Sequence, residues 1–209
     1  ARSVPGLPRA RVRAILNGAD LAPFTGTTNS ALRTRLGLSS STTLIGALGN
    51  VRPPKGYPFL LEAIANLRAR GLDVHLAIAG DDRGKLGEEL RAHRARLDLD
   101  AHVTLLGFVD APAAFLEGLD LFVLSSTSEG FSLSTVQAMA AARPIVATRS
   151  GGPEELLTDG ETGLLVPIES SSALADALWR LRQDAPLAAR LAAAARARAL
   201  ATFSVDGMV

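Results

Sequence analysis

Short apolar runs recur along this chain at nearly regular intervals, at 44–49, 74–80, 103–108, 121–126, 144–148 and 163–167. Each is too short for a helix and is bounded by Gly, Pro, Ser or Asp, which marks it as a strand. Most are apolar at successive positions, the pattern of parallel strands covered by helices on both faces. Between them the apolar spacing becomes helical. Leu60, Leu61, Ile64 and Leu67 form one stripe, with Arg68 and Arg70 in a polar last turn and Gly71 as a stop. Val136, Met139 and Ala140 mark a second stripe. Leu174, Leu178 and Leu181 mark a third, and Leu187 and Leu191 follow after Pro186. The alternation predicts an α/β fold with an open, doubly wound parallel sheet of Rossmann-like kind. Ligands bind such sheets beyond the carboxyl ends of the strands. Function is therefore expected in the loops after Gly49, Gly80, Phe108, Ser126 and Thr148.

The N-terminal stretch reads differently. Residues 12–16 have strand character, Asn17-Gly18 is a turn, and 23–30 is a loop with polar residues and Gly26. At the other end, the Ala/Arg-rich segment 188–201 has high helix propensity.

Composition narrows the function classes. A length of 209 residues suits one domain, and 47% apolar with 21% charged residues suits a globular core. Lys and Arg number 22 against 21 Asp and Glu, a formal net charge of +1. That balance lacks the concentrated positive field of a nucleic-acid-binding domain, so no nucleic-acid partner is expected. There is no Cys, which excludes disulfides and thiolate metal sites. His75, His93 and His102 have no metal-ligand spacing to one another, and no metal is expected. No apolar run reaches membrane-spanning length and no signal peptide is visible, so a cytoplasmic location is expected. The chain starts at Ala1 rather than Met and reads as a fragment of something longer.

Three loops have chemical potential. After Gly49 come Asn50-Val51-Arg52-Pro53-Pro54-Lys55-Gly56, a stiff turn that ends in Lys-Gly and opens a helix. A Lys there faces the same side as the helix N-terminus, whose free N–H groups attract anions; a solvated loop lysine is the plainer alternative. Neither GxGxxG nor a Walker lysine is present, so dinucleotide and P-loop readings lack their fingerprints. The second loop runs through Glu129-Gly130-Phe131-Ser132-Leu133-Ser134 into a helix that carries Gln137. Gly130 permits a tight turn, and Ser132 or Ser134 can cap the helix. The N–H groups of residues 131–134 would form an anion cradle. Glu129 beside it would repel a bare phosphate but could accept hydrogen bonds from the hydroxyls of an attached sugar. Its alternative is a simple complement to the helix dipole. The third loop, Ser150-Gly151-Gly152-Pro153-Glu154-Glu155, allows close backbone approach, with Pro153 starting a short helix and Glu155 bracing the loop.

The stretch EGFSLSTVQAMAAARPIVATRSGGPEELLTDGETGLLVP resembles the C-terminal domain of the large GT-B glycosyltransferase family 4, or group 1. That family includes glycogen and sucrose synthases and bacterial mannosyltransferases. GNVRPPKG, ILNGADLAPF, LRTRLGL, LLGFVD and LDLFVLSSTSEG are similar to its other segments, in register and in order. The resemblance implies a Rossmann-like half of a GT-B fold. Residues 1–30 would be an interdomain or N-terminal segment, 31–183 the nucleotide-sugar-binding domain and 184–209 a C-terminal helix.

The resemblance also implies a retaining, front-face transfer from a nucleotide-diphosphate sugar, with no cofactor and no required metal. Lys55 would pair with the diphosphate, and Glu129 would bind donor sugar hydroxyls; these two are the expected catalytic residues. Gly49, Asn50, Gly80, Gly130, Phe131, Ser132, Leu133 and Ser134 would complete the donor site. Gln137 would face the ribose, and the backbone of Phe108 and Val109 the base. The implied partner is an N-terminal acceptor-binding domain absent from this chain, so the chain alone is expected to be inactive. Peripheral membrane association of the full-length protein stays open.

Two positions depart from the family pattern. Its second glutamate is Gln137 here, and its usual arginine after the glycine is Asn50. They keep a second function class in play, a nucleotide-binding pseudoenzyme. A nucleotide-sugar epimerase of similar fold is a third, opposed by the 129–140 pattern.

Overall fold

A computed structural model describes residues 18–204. The strand expected at 12–16 and Asn17 of the turn lie outside those residues.

Six strands form one sheet. They are β1 (Thr43–Leu48), β2 (Val74–Ala79), β3 (Val103–Leu105), β4 (Leu121–Leu124), β5 (Ile145–Thr148) and β6 (Leu164–Val166). All six apolar runs are strands, each ending earlier than its apolar run or with it. The order is β3-β2-β1-β4-β5-β6, and every pairing is parallel. The chain therefore reverses its direction of winding between β1 and β4, which opens a crevice beyond their carboxyl ends.

Eight helices cover the sheet among the described residues. They are α1 (Ala31–Arg35), α2 (Tyr57–Ala69), α3 (Lys85–Arg96), α4 (Pro112–Glu117), α5 (Leu133–Ala140), α6 (Gly152–Leu156), α7 (Ser171–Gln183) and α8 (Ala185–Thr202). Strand side chains alternate between two cores, as the two-residue period requires. Ile45, Leu76, Ile78, Leu121, Val123 and Val146 pack with Leu60, Ile64, Leu67, Leu174 and Leu178 of α2 and α7. Leu44, Ala77, Phe122, Leu124, Ile145 and Ala147 face the other way, toward Val136 and Met139 of α5. Burial on both faces is why these strands read as unbroken apolar runs.

The second core is closed by the chain ends. Leu21 and Phe24, Leu32 of α1, and Ala195, Ala199 and Phe203 at the far end all belong to it. The Arg196 guanidinium donates to the carbonyls of Phe24 and Ala140, which ties α8 to α5 and to the leading loop. Arg143 is buried beside them. It donates to the carbonyls of Ala141 and Leu119, each at 2.9 Å, and of Thr27 at 3.3 Å. Desolvation lowers its pKa from the ordinary value, and the three carbonyls compensate for burying the charge. No described helix is long and apolar enough to cross a membrane.

Candidate nucleotide-sugar site

The crevice between β1 and β4 is built from the two loops singled out in the sequence. Residue Arg52 is extended, at φ −140° and ψ 152°, as the residue before a proline prefers. Pro53 and Pro54 then start a single 3-10 turn that ends on Lys55. Gly56 follows at φ +62°, and a Cβ there would lie 2.1 Å from the Ser125 carbonyl oxygen. Only glycine lets α2 begin so close to the β4 loop. Two bonds join the loops at this point: Ser125 Oγ donates to the Lys55 carbonyl at 2.8 Å, and Thr127 N to that of Pro54 at 2.8 Å.

Lys55 Nζ is thereby delivered 2.5 Å from Glu129 Oε1. The same oxygen accepts from Ser126 Oγ at 2.7 Å. Among the described residues, Glu129 Oε2 receives no hydrogen bond. The Glu129 backbone is pinned from the β5 side, its N–H donating to Ser150 O and its carbonyl accepting from Gly152 N, both at 2.8 Å. Tyr57 is buried below and donates its hydroxyl to Gly49 O at 2.6 Å. Burial first, and the Glu129 charge second, raise its pKa, so the phenol stays a donor.

Ser132, rather than Ser134, is the cap of α5. Its side chain accepts from Thr135 N at 3.3 Å and from Thr135 Oγ1 at 2.8 Å. Thr135 and Val136 N–H also return to the Ser132 carbonyl. Among the described residues, the backbone N–H groups of Phe131, Ser132, Leu133 and Ser134 donate to no protein acceptor. They are free ends of a helix and a ready anion cradle. Phe131 is propped edge-on against Phe203, with ring centroids 6.2 Å apart, so the end of α8 supports the cradle.

A cleft of about 380 Å³ gathers these groups. Gly49, Asn50, Lys55, Glu129, Phe131, Ser132, Leu133, Ser134 and Gln137 line it, all expected in the site, together with Leu48 and Arg52. Gln137 makes no side-chain hydrogen bond among the described residues. Gly80 and Gly130 do not line the cleft. Gly80 lies beneath it, its N–H donating to Gly107 O at 2.8 Å, and a Cβ there would meet Gly49 O at 2.2 Å. Phe108 and Val109 line a different cavity, of about 370 Å³, together with Arg35 of α1 and Phe115 of α4. Phe108 is 75% exposed.

Two local readings change. The brace of the 150–155 loop is Glu154, not Glu155: its Oε2 accepts from Gly151 N at 2.9 Å. At α6 the capping carboxylate reaches back to the residue before the helix, a position that Glu154 occupies and Glu155 overshoots. The second concerns Arg52, which sequence reading passed over as part of a turn. The available signal was a cation three residues before Lys55, held by a proline pair. Among the described residues, no cluster of three or more His, Asp or Glu could hold a metal ion.

A parallel sheet with a Lys–Glu pair and unpaired helix N–H groups at its switch point defines a doubly wound, Rossmann-like α/β protein with a ligand crevice. Residues 42–184 match the glycosyl transferases group 1 family. The chain belongs to that family. It is 36% identical over 186 residues to a D-inositol 3-phosphate glycosyltransferase of Pseudarthrobacter chlorophenolicus, covering 87% of this chain and 44% of that protein. It is similar in structure to HepE of Anabaena in complex with UDP-glucose, with TM-score 0.86 and 29% identity over 94% of this chain and 54% of that one. It is also similar to the C-terminal domain of LpcC, a glycosyl transferase group 1 family protein of Francisella tularensis. That match has TM-score 0.78 and 25% identity, and it covers 90% of this chain and 100% of that one. The chain thus spans about half the length of the first two.

Proposed function

We propose that this chain is the donor-binding half of a retaining glycosyltransferase and holds a nucleotide-diphosphate sugar in the crevice between β1 and β4. One observation carries the reading: Lys55, Glu129 and four free N–H groups at the start of α5 converge on a single cleft. Each suits one part of such a donor. The N–H groups and Lys55 would take the diphosphate, which gains charge as the glycosidic bond breaks and so is stabilised most in the transition state. Glu129 Oε2 is the oxygen left for sugar hydroxyls. Gln137 would meet the ribose that lies between phosphate and base. Phe108 and Val109 would meet the base only across the space that separates their cavity from the cleft. The likeness to a UDP-glucose complex supports a nucleotide sugar as ligand.

In this reading the acceptor hydroxyl attacks from the face the diphosphate leaves. Its proton passes to the departing phosphate oxygen, and the new bond keeps the anomeric configuration. No metal is needed, because the cleft itself offers cations and N–H donors to the leaving group. The acceptor would be held by a separate N-terminal domain, and the chain alone would bind donor without transferring it. A match to all of an isolated C-terminal domain supports independent folding.

Calorimetric titration of the intact chain with UDP-glucose, GDP-mannose and their parent diphosphates tests the reading, alongside a turnover assay with soluble acceptors. Binding of at least one donor without transfer is expected. No binding across the panel, or efficient transfer, would overturn it.

A further inference from the structure

The cleft carries a second cation, Arg52, beside Lys55. The pattern's arginine position is Asn50, and that side chain is already engaged: Asn50 Oδ1 accepts from Asp81 N at 2.9 Å and joins the β1 loop to the β2 loop. Arg52, two residues on, lines the cleft with Lys55 and Glu129. Among the described residues its guanidinium makes no hydrogen bond and no salt bridge.

Its surroundings explain why it is unclaimed. Asp81 is the acidic group whose charge Arg52 influences, and Arg83 holds that carboxylate from two sides. Arg83 Nε donates to Oδ1 at 2.7 Å, and the terminal nitrogen to Oδ2 at 2.9 Å. The Arg83 hydrogen bonds, with a smaller contribution from Arg52, hold the exposed Asp81 carboxyl down at about 2. The acid that lines the cleft, Glu129, is taken by Lys55. Among the described residues, Arg52 is therefore the cation of the cleft left unpaired for an incoming anion. Its backbone is held in fixed relation to that of Lys55, because its carbonyl accepts from Lys55 N at 3.0 Å across the rigid Pro53-Pro54 pair.

We infer that Arg52 is a second diphosphate-binding cation beside Lys55. The inference rests on the donor-site reading above and assigns Asn50 a structural task in the same loop. A guanidinium fork grips two oxygens of one phosphate with two parallel hydrogen bonds, a geometry that the point-like ammonium does not match.

The test uses UDP and uridine as probes on the intact chain, with Arg52→Gln and Arg52→Lys. Arg52→Gln should weaken UDP binding about tenfold, in line with loss of a charge-assisted bond, and leave uridine affinity unchanged. Its UDP affinity should also fall less steeply with added salt, as one fewer charge is matched. Arg52→Lys should recover part of the loss. Unchanged UDP affinity in Arg52→Gln would overturn the inference while leaving the donor site standing. Equal loss of UDP and uridine would overturn it too, since loop support would then be the role. Absence of UDP and GDP binding by the unmodified chain would remove the donor-site reading and this inference with it.

Discussion

Lys55 Nζ and Glu129 Oε1 meet 2.5 Å apart across the crevice, though 74 residues separate them in the chain. One closes the turn after β1 and the other lies in the loop after β4, and these strands are neighbours at the switch point. The two side chains are only 22% and 12% exposed. The two charges of the pair neutralise each other.

That pairing sharpens what each residue should do to binding. Lys55→Ala removes a cation and leaves Glu129 without its main partner, so nucleoside diphosphate binding should weaken about tenfold or more. Nucleoside affinity should hardly change. Glu129→Gln removes the carboxylate proposed to accept from the sugar but frees Lys55. It should weaken the full nucleotide sugar while keeping, or improving, affinity for the plain diphosphate. Calorimetry with both ligands reads the difference; parallel loss in either variant would show that the residue only supports its loop.

Gln137→Glu asks about a different part of the donor. Gln137 lines the cleft with an uncommitted amide. A carboxylate accepts stronger hydrogen bonds than an amide oxygen. The substitution should tighten nucleotide sugar and nucleoside diphosphate equally, since both carry the ribose. No response to either ligand would place Gln137 outside the donor.

Gly56→Ala is expected to cost the fold itself. The new methyl group would stand 2.1 Å from the Ser125 carbonyl oxygen on a backbone at φ +62°. Relieving that contact separates the two loops that carry Lys55 and Glu129. A loss of about 2–3 kcal/mol is expected, typical of strain at a special backbone position. Chemical denaturation gives the stability change. Donor binding should weaken even at temperatures where the variant is folded.

His75 should give the stability a pH dependence. It is 6% exposed, with Nε2 2.9 Å from Thr104 Oγ1. Desolvation first, and the nearby His102 second, lower its pKa; a backbone bond at Ala101 and the Asp73 charge oppose them. The unfolded chain then binds its proton more readily than the folded one, so this contribution is full above the unfolded value of about 6.5. It is lost as pH falls below that value toward the depressed folded one. The melting temperature should drop less between pH 7 and pH 5 in His75→Gln than in the parent. Equal slopes would show that His75 is not the group responsible.

Much of this was written in local patterns. Six strands, the long helices and the fold class follow from apolar runs bounded by turn residues, because a strand buried on both faces must be apolar at every position. Pro53-Pro54 and Gly56 mark a turn, and a serine before an apolar helix marks a cap, because these are constraints on single residues and their immediate neighbours. Lys55 and Glu129 stand out as candidates from their loops, and Gln137 from the family resemblance; all three line the cleft.

What the sequence could not decide was which of these groups would face each other. Strand order places β1 beside β4, and only that order brings Lys55 to Glu129 rather than to the loops of β2 or β6. Tertiary packing likewise engaged Asn50 with Asp81 N and left Arg52 in the cleft. It also set Phe203 of the chain's far end beneath Phe131. Local spacing fixes the backbone conformation of a few residues at a time. The partners of a charged side chain depend on which distant segments the sheet makes adjacent, and that is a property of the packed whole.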